Sequence, residues 1–235
     1  MAYIPPPLYL AAASQLGPVI AALRPYGFVG PRRWVVAWCS LAVAVDLVSL
    51  VLARHGVNNH WTTYVALPLR GLLVLLALAG WQRLDLARHT LLAAIPVYVA
   101  MCAVLFVVVE RADTYSAISE PVYTLLGMVG ALFTLLTRSM EESRPLVRQE
   151  WFWICGGLLL FFGSNAAYHP FARIALSTRP DLVLSALVVR SLAEIVAFAA
   201  ITIGVLCPTS SPSGASTSPA SSAWRSSSSR SVSPS

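Results

Sequence analysis

The 235-residue sequence predicts an all-α, polytopic membrane protein of seven transmembrane helices, N-terminus outside and C-terminus in the cytoplasm. Three observations carry that expectation. Hydrophobic residues make up 57% of the chain and charged residues 11%, whereas an average soluble domain is roughly a quarter charged. The apolar residues gather into seven runs near the length a bilayer demands, about 20 residues at 1.5 Å rise per residue. The arginines between those runs alternate in number from loop to loop.

The first run, residues 7–23, follows Tyr3-Ile4-Pro5-Pro6-Pro7 with no basic stretch ahead of it, so it reads as a retained helix rather than a cleaved leader. The second, 34–53, opens on Trp34 and carries Cys39 and Asp46. The third, 61–81, begins and ends on Trp, contains Pro68 and Arg70, and has Asn59 placed as its N-cap. The fourth, 90–109, holds no charge at all. The fifth, 121–137, starts behind Glu120-Pro121, an acid and a proline suited to a helix N-terminus. The sixth, 151–168, carries Ser164 and Asn165, and the seventh, 182–206, carries Arg190 and Glu194.

Residues 1–207 therefore form the transmembrane domain. Residues 208–235 include 14 serines, too little apolar surface to offset the entropy of ordering, and read as a disordered cytoplasmic tail. Seven spans and short loops leave no room for a separate catalytic domain.

The loops after the first, third and fifth runs, together with the tail, hold ten arginines against four in the remaining loops. An excess of basic residues marks the cytoplasmic side, which sets the orientation and places the chain in the inner (plasma) membrane. Trp34, Trp38, Trp81, Trp151 and Trp153 flank the inner face, and Trp61, Tyr64 and Tyr168 the outer one, as interfacial aromatics do. All 16 basic residues are arginines. Without lysine there is no retinal-type Schiff base and no P-loop. Nor is there a basic–aromatic patch or a Cys/His finger for nucleic acid. The four cysteines lie in or at the ends of apolar runs without CxxC spacing, which gives no disulfide framework.

An internal repeat is also expected. Pro7-Leu8-Tyr9-Leu10 resembles Pro121-Val122-Tyr123-Thr124, and each is followed at the same distance by an arginine, Arg24 and Arg138. Ala66-Leu67-Pro68-Leu69-Arg70-Gly71-Leu72 matches Ala186-Leu187-Val188-Val189-Arg190-Ser191-Leu192. Runs one to three and five to seven then form parallel repeats about an axis along the membrane normal, with run four as connector.

Asp46, Arg70, Arg190 and Glu194 fall inside runs, where a charge at mid-depth costs at least about 2.5 kcal/mol. By helical rise, Asp46 lies about 4 Å, Arg70 about 2 Å, Arg190 about 6 Å and Asn165 about 7 Å outward of centre, with Glu194 near the middle. Two readings follow: structural Asp46–Arg70 and Arg190–Glu194 pairs, or a ligand pocket in which the repeat-related arginines address an anionic group. Asp46, Arg70, Asn165, Arg190 and Glu194 are the candidate ligand-binding residues. His60, His169 and Glu120 map to the outer rim without metal-ligand spacing. No GxSxG, aspartyl dyad or facing histidine pair supplies a catalytic mechanism or a haem, and no cofactor is expected.

At Asp46, Asn58-Asn59, Pro68, Phe152-Trp153-Ile154 and Ser164-Asn165, the chain resembles a set of small, uncharacterised bacterial seven-helix membrane proteins. The resemblance covers runs two to six and implies a family without an activity; the Ser-rich tail has no counterpart in it. The three-plus-one-plus-three layout is similar to that of the sugar-efflux type of seven-helix transporter, although the Pro-Gln motif of the related loop proteins is missing. The expected function is binding or transport of a small polar or anionic solute through a pocket in the outer half of the bundle. The alternative is a receptor-like sensor or scaffold acting through a cytoplasmic signalling partner or a second copy of the chain.

Overall fold

The computed structural model describes residues 6–24, 28–110 and 118–208, so the tail beyond Pro208, together with Arg111 and Asp113, lies outside the described residues. Among those described, the regular structure is entirely helical. The elements are α1 (Pro6–Ser14), α2 (Leu16–Ala22), α3 (Arg32–Arg54), α4 (His60–Trp81), α5 (Asp85–Val104), α6 (Ser119–Glu141), α7 (Glu150–Thr178) and α8 (Pro180–Leu206). A π-helical turn, Leu105–Val109, extends α5. Among the described residues, six helices are long and apolar enough to cross a membrane: Arg32–Arg54, His60–Trp81, Asp85–Val109, Ser119–Glu141, Glu150–Ala172 and Leu182–Leu206.

The first apolar run differs from expectation, folding as the two short helices α1 and α2. Pro18 has no N–H, so the Ser14 carbonyl loses its helical donor. The Ser14 hydroxyl instead donates back to the Ala11 carbonyl at 2.7 Å. Gln15 sits at the interruption with helical angles, φ −62° and ψ −24°, so a rung of the hydrogen-bond ladder is lost without a sharp turn.

Other ends shift for equally local reasons. The Asn59 side chain does not cap α4; its amide donates to the Ser49 carbonyl at 3.1 Å, tying the turn back to α3. The cap falls to Asn58, whose Oδ1 accepts from the His60 N–H at 2.9 Å. α7 continues ten residues beyond Tyr168, passing through Pro170. That proline removes a single ladder bond, and the continuation carries His169 into a buried position rather than onto a loop.

Going round the bundle, α1 and α2 pack on α8, α2 on α3, α3 on α4, α4 on α6, α6 on α7 and α7 on α8, while α5 lies outside against α4. The ring thus closes on itself around a central space. Aromatic side chains fill much of that space: Trp38 stacks on Phe198 at 5.9 Å between ring centroids and meets Phe161 edge-on at 5.2 Å. The four cysteines are free, three of them buried.

The most extensive helix pairing is that of α7 with α8. A Cβ on Gly157 would lie 2.6 Å from the Ala197 carbonyl oxygen, and one on Gly204 2.5 Å from Ile154 Cγ1. Small residues at such crossings let backbones approach in an apolar medium, where van der Waals packing drives association. Gly157→Leu is therefore expected to lower stability by about 1–3 kcal/mol through overpacking against rigid backbone, read as a lower thermal midpoint of the detergent-solubilised protein. Gly156→Leu is the control: nothing lies within 4 Å of its added Cβ, and its midpoint should stay put.

Candidate functional site

Within the ring, near the end where α3 turns into α4, lies a cavity of about 280 Å³. The sequence-derived residues Asp46, Arg70, Asn165, Arg190 and Glu194 all line it. They come from α3, α4, α7 and α8, and share a space because their helices are ring neighbours and each places its polar group at a similar level.

Two ion pairs organise the wall, and they differ in closeness. Arg190 donates from Nε to Glu194 Oε1 at 2.9 Å, and its Nη2 stands 2.9 Å from the same oxygen, the two residues one helical turn apart on α8. Asn165 on α7 adds a third donor to the same oxygen at 3.3 Å and anchors itself on the Phe161 carbonyl at 2.8 Å. The Arg190 guanidinium also lies over the Tyr168 ring, 4.9 Å from its centroid. All of these contacts fall on Oε1 of a buried Glu194.

The second pair is loose. Arg70 Nη2 lies 4.0 Å from Asp46 Oδ1, outside hydrogen-bond reach. Arg70 Nε is shut off from solvent and has no hydrogen-bond partner. Asp46 is half exposed and accepts its short contact from Gln15 Nε2 at 3.0 Å instead. Arg70 is held in place from behind: Tyr98 on α5 donates to the Leu67 carbonyl at 3.0 Å, and its ring occupies the space beside Gly71. A Cβ there would sit 2.1 Å from Tyr98 Cε1, so the residue after Arg70 must be glycine for α5 to pin the turn.

The structure also places residues here that the sequence reading gave other roles or passed over. Gln15 lines the cavity from the interruption between α1 and α2. Its one trace in the sequence is a lone amide within the first apolar run, which hydropathy does not single out. Glu120, read as a helix-starting acid, lines the cavity and stands 3.6 Å from His169 Nε2. Tyr123 accepts a hydrogen bond from Trp38 Nε1 at 2.7 Å, linking α6 to α3 beneath the charged groups.

Chemically, the wall offers one guanidinium tightly paired with a carboxylate, one loosely paired, three carboxylates and an aromatic floor. That set can bind and orient a small polar molecule. No protein family, curated protein or solved structure matches the chain. The site itself therefore carries the functional reading.

Proposed function

We propose that the chain is a seven-helix membrane protein that binds a small polar solute bearing an anionic group in this cavity and moves it across the bilayer. In this reading α1 and α2 together make the first span. The observation that carries it is the convergence of Asp46, Arg70, Asn165, Arg190 and Glu194, from four helices, on one cavity. Ionisable side chains within membrane segments are costly and concentrate where a solute or ion must pass. An interrupted helix beside the site fits as well, since discontinuous helices with freed backbone groups recur at solute sites in transporters.

The arginine asymmetry supports an outside N-terminus and a cytoplasmic C-terminus in the plasma membrane, which puts the cavity in the outer half. The packing order supports the parallel repeat. α4 meets α6 just as α8 meets α1 and α2, the exchange a two-fold axis along the membrane normal makes, with α5 left outside as connector.

Reconstitution into proteoliposomes tests the proposal, with uptake measured for labelled amino acids, organic acids and sugars. Saturable uptake that disappears in Arg70→Ala supports transport. No uptake across the panel, together with a cytoplasmic protein co-purifying with the chain, overturns it in favour of a receptor-like role.

A further inference from the structure

We infer that the protein stands in an outward-open state whose inner gate is the seam between α3 and α7, plugged by Trp38 and latched by the Arg32–Glu150 pair. The inference rests on the cavity being the site of a transported solute and adds the barrier which that solute must pass to leave it.

The helices of the ring fall into two halves, α1–α4 and α6–α8, which pack on each other along two sides, α4 on α6 and α1 and α2 on α8. Between those sides α3 and α7 face each other across the central space, and side chains bridge it. Trp38 on α3 meets Phe161 and Phe162 on α7 at 5.2 and 6.1 Å between ring centroids and stacks on Phe198 of α8 at 5.9 Å. It also donates to the Tyr123 hydroxyl on α6 at 2.7 Å. Each of these partners belongs to the opposite half. Trp38 and Phe198, on the cavity wall, are each 1% exposed, whereas Asp46, at the cavity's other end, is half exposed.

Behind this plug Cys39, Ile154, Cys155, Leu158 and Ile201 are wholly shut off from solvent. The latch follows about 9 Å further along α3, at 1.5 Å rise per residue. There Arg32 meets Glu150 and donates to the Val205 and Cys207 carbonyls at 3.0 and 3.2 Å, while Trp81 donates to Glu150 at 3.1 Å. Gln82 on α4 donates to Thr134 on α6 at 2.9 Å and accepts from Thr137 at 3.0 Å. These links also run from one half to the other.

The charged cavity groups are joined differently. Asp46, Gln15 and Arg70 contact one another within the first half, and Arg190, Glu194 and Asn165 within the second. Polar side chains thus bind the halves at the arginine-rich end, while at the cavity the charged clusters keep to their own halves. Side-chain contacts can part and re-form without unfolding a helix. Rocking of two halves about a central site is the usual motion of transporters built this way. Here it would draw Trp38 away from α7 and Arg32 from Glu150. Water reaching the end of the bundle would then hydrate the separated charges, which offsets the loss of the pair.

Cys39 and Cys155 are reporters already in place. Cys102→Ala/Cys207→Ser leaves them as the remaining thiols. A membrane-impermeant methanethiosulfonate is applied to right-side-out and to inverted vesicles from cells expressing the full chain, with labelling followed by mass spectrometry. Labelling is expected from the inverted vesicles, and Glu150→Gln should speed it roughly tenfold or more, the shift expected when a hydrogen bond loses its charged partner. Uptake in proteoliposomes should stop once the thiols are modified, because the adduct wedges the seam. Gly71→Ala controls for general loosening. Its Cβ would lie 2.1 Å from Tyr98 Cε1, where α5 packs on α4 outside the ring, so it should lower the thermal midpoint and leave the labelling rate unchanged.

Uptake that proceeds while both thiols stay protected, in Glu150→Gln as in the parent chain, overturns the gate and leaves the transport reading standing. So does labelling that Gly71→Ala speeds as much as Glu150→Gln does, or that is as fast or faster from right-side-out vesicles. Neither labelling nor uptake in any variant removes both readings.

Discussion

Glu150→Ala is expected to lower the stability of the purified protein by about 3–5 kcal/mol, the cost of leaving a buried partner charge uncompensated. Arg32, only 3% exposed, is that partner. Its Nη2 meets Glu150 Oε2 directly, while Nη1 donates to the Val205 carbonyl at 3.0 Å and Nη2 also reaches the Cys207 carbonyl at 3.2 Å. Trp81 Nε1 donates to the other Glu150 oxygen at 3.1 Å. One carboxylate thus joins the start of α3, the end of α4 and the start of α7, and through Arg32 the end of α8. Arginine at the first residue of α3 runs against that helix's own dipole. It is placed instead to satisfy carbonyls that α8 leaves without donors at its C-terminus.

A graded series separates this account from a general loss of packing. Glu150→Gln keeps acceptors for Trp81 and Arg32 and should cost less than Glu150→Ala. Arg32→Lys keeps the charge but loses the fork that reaches several acceptors at once, and should behave more like Glu150→Ala. Replacing both by apolar residues should recover only part of the loss, because the Val205 and Cys207 carbonyls remain uncapped. Thermal unfolding in one fixed detergent ranks the variants, and equal midpoints across the series would show that the cluster contributes nothing.

Arg32 also marks where sequence reasoning stops. By residue type and position, Arg32, Arg33 and Arg138 are equivalent loop charges on the basic side of a span. In the folded chain Arg32 and Arg138 are buried. Arg138 lies 3.6 Å from Glu142 and 3.7 Å from Glu141 and sits over the Trp151 ring. Arg33 stays at the surface over Trp34. Counting charges predicts which loops are basic but is blind to which side chain faces a neighbouring helix, because that depends on partners far away in sequence. The long helices were legible because apolar runs of bilayer length leave the backbone little alternative to a helix. The same logic left α7 too short: the apolar run ends at Tyr168, yet the packed helix continues through Pro170 and tolerates one lost hydrogen bond. The cavity was half legible. Rare charges in apolar runs had to converge, and their similar depths indicated it. Glu120 and Gln15 were harder to see, the one because a helix-start role already explained it, the other because an uncharged amide is no anomaly by hydropathy.

The two cavity arginines should respond to mutation in opposite ways, the second large effect expected. Arg190→Ala removes the donors that hold a buried Glu194, and should destabilise the protein by about 3–5 kcal/mol. Here, unlike at Arg32, no backbone carbonyl depends on the guanidinium, so the Arg190→Met/Glu194→Leu pair should restore most of the stability. Arg70→Ala removes only a 4.0 Å contact to a half-exposed Asp46, and loose or exposed pairs are worth about 0–1 kcal/mol. Its thermal midpoint should barely move while solute binding and uptake are lost. If Arg70→Ala is instead as destabilising as Arg190→Ala, with binding and flux unaffected in the folded fraction, both pairs are glue between helices. If the Arg190→Met/Glu194→Leu protein, refolded to near-normal stability, still takes up solute, then the tight pair positions the wall and Arg70 alone addresses the ligand. The physical basis of the contrast is the same in either direction. A guanidinium surrounded by acceptors is part of the fold, and one left short of them in a cavity is available to something else.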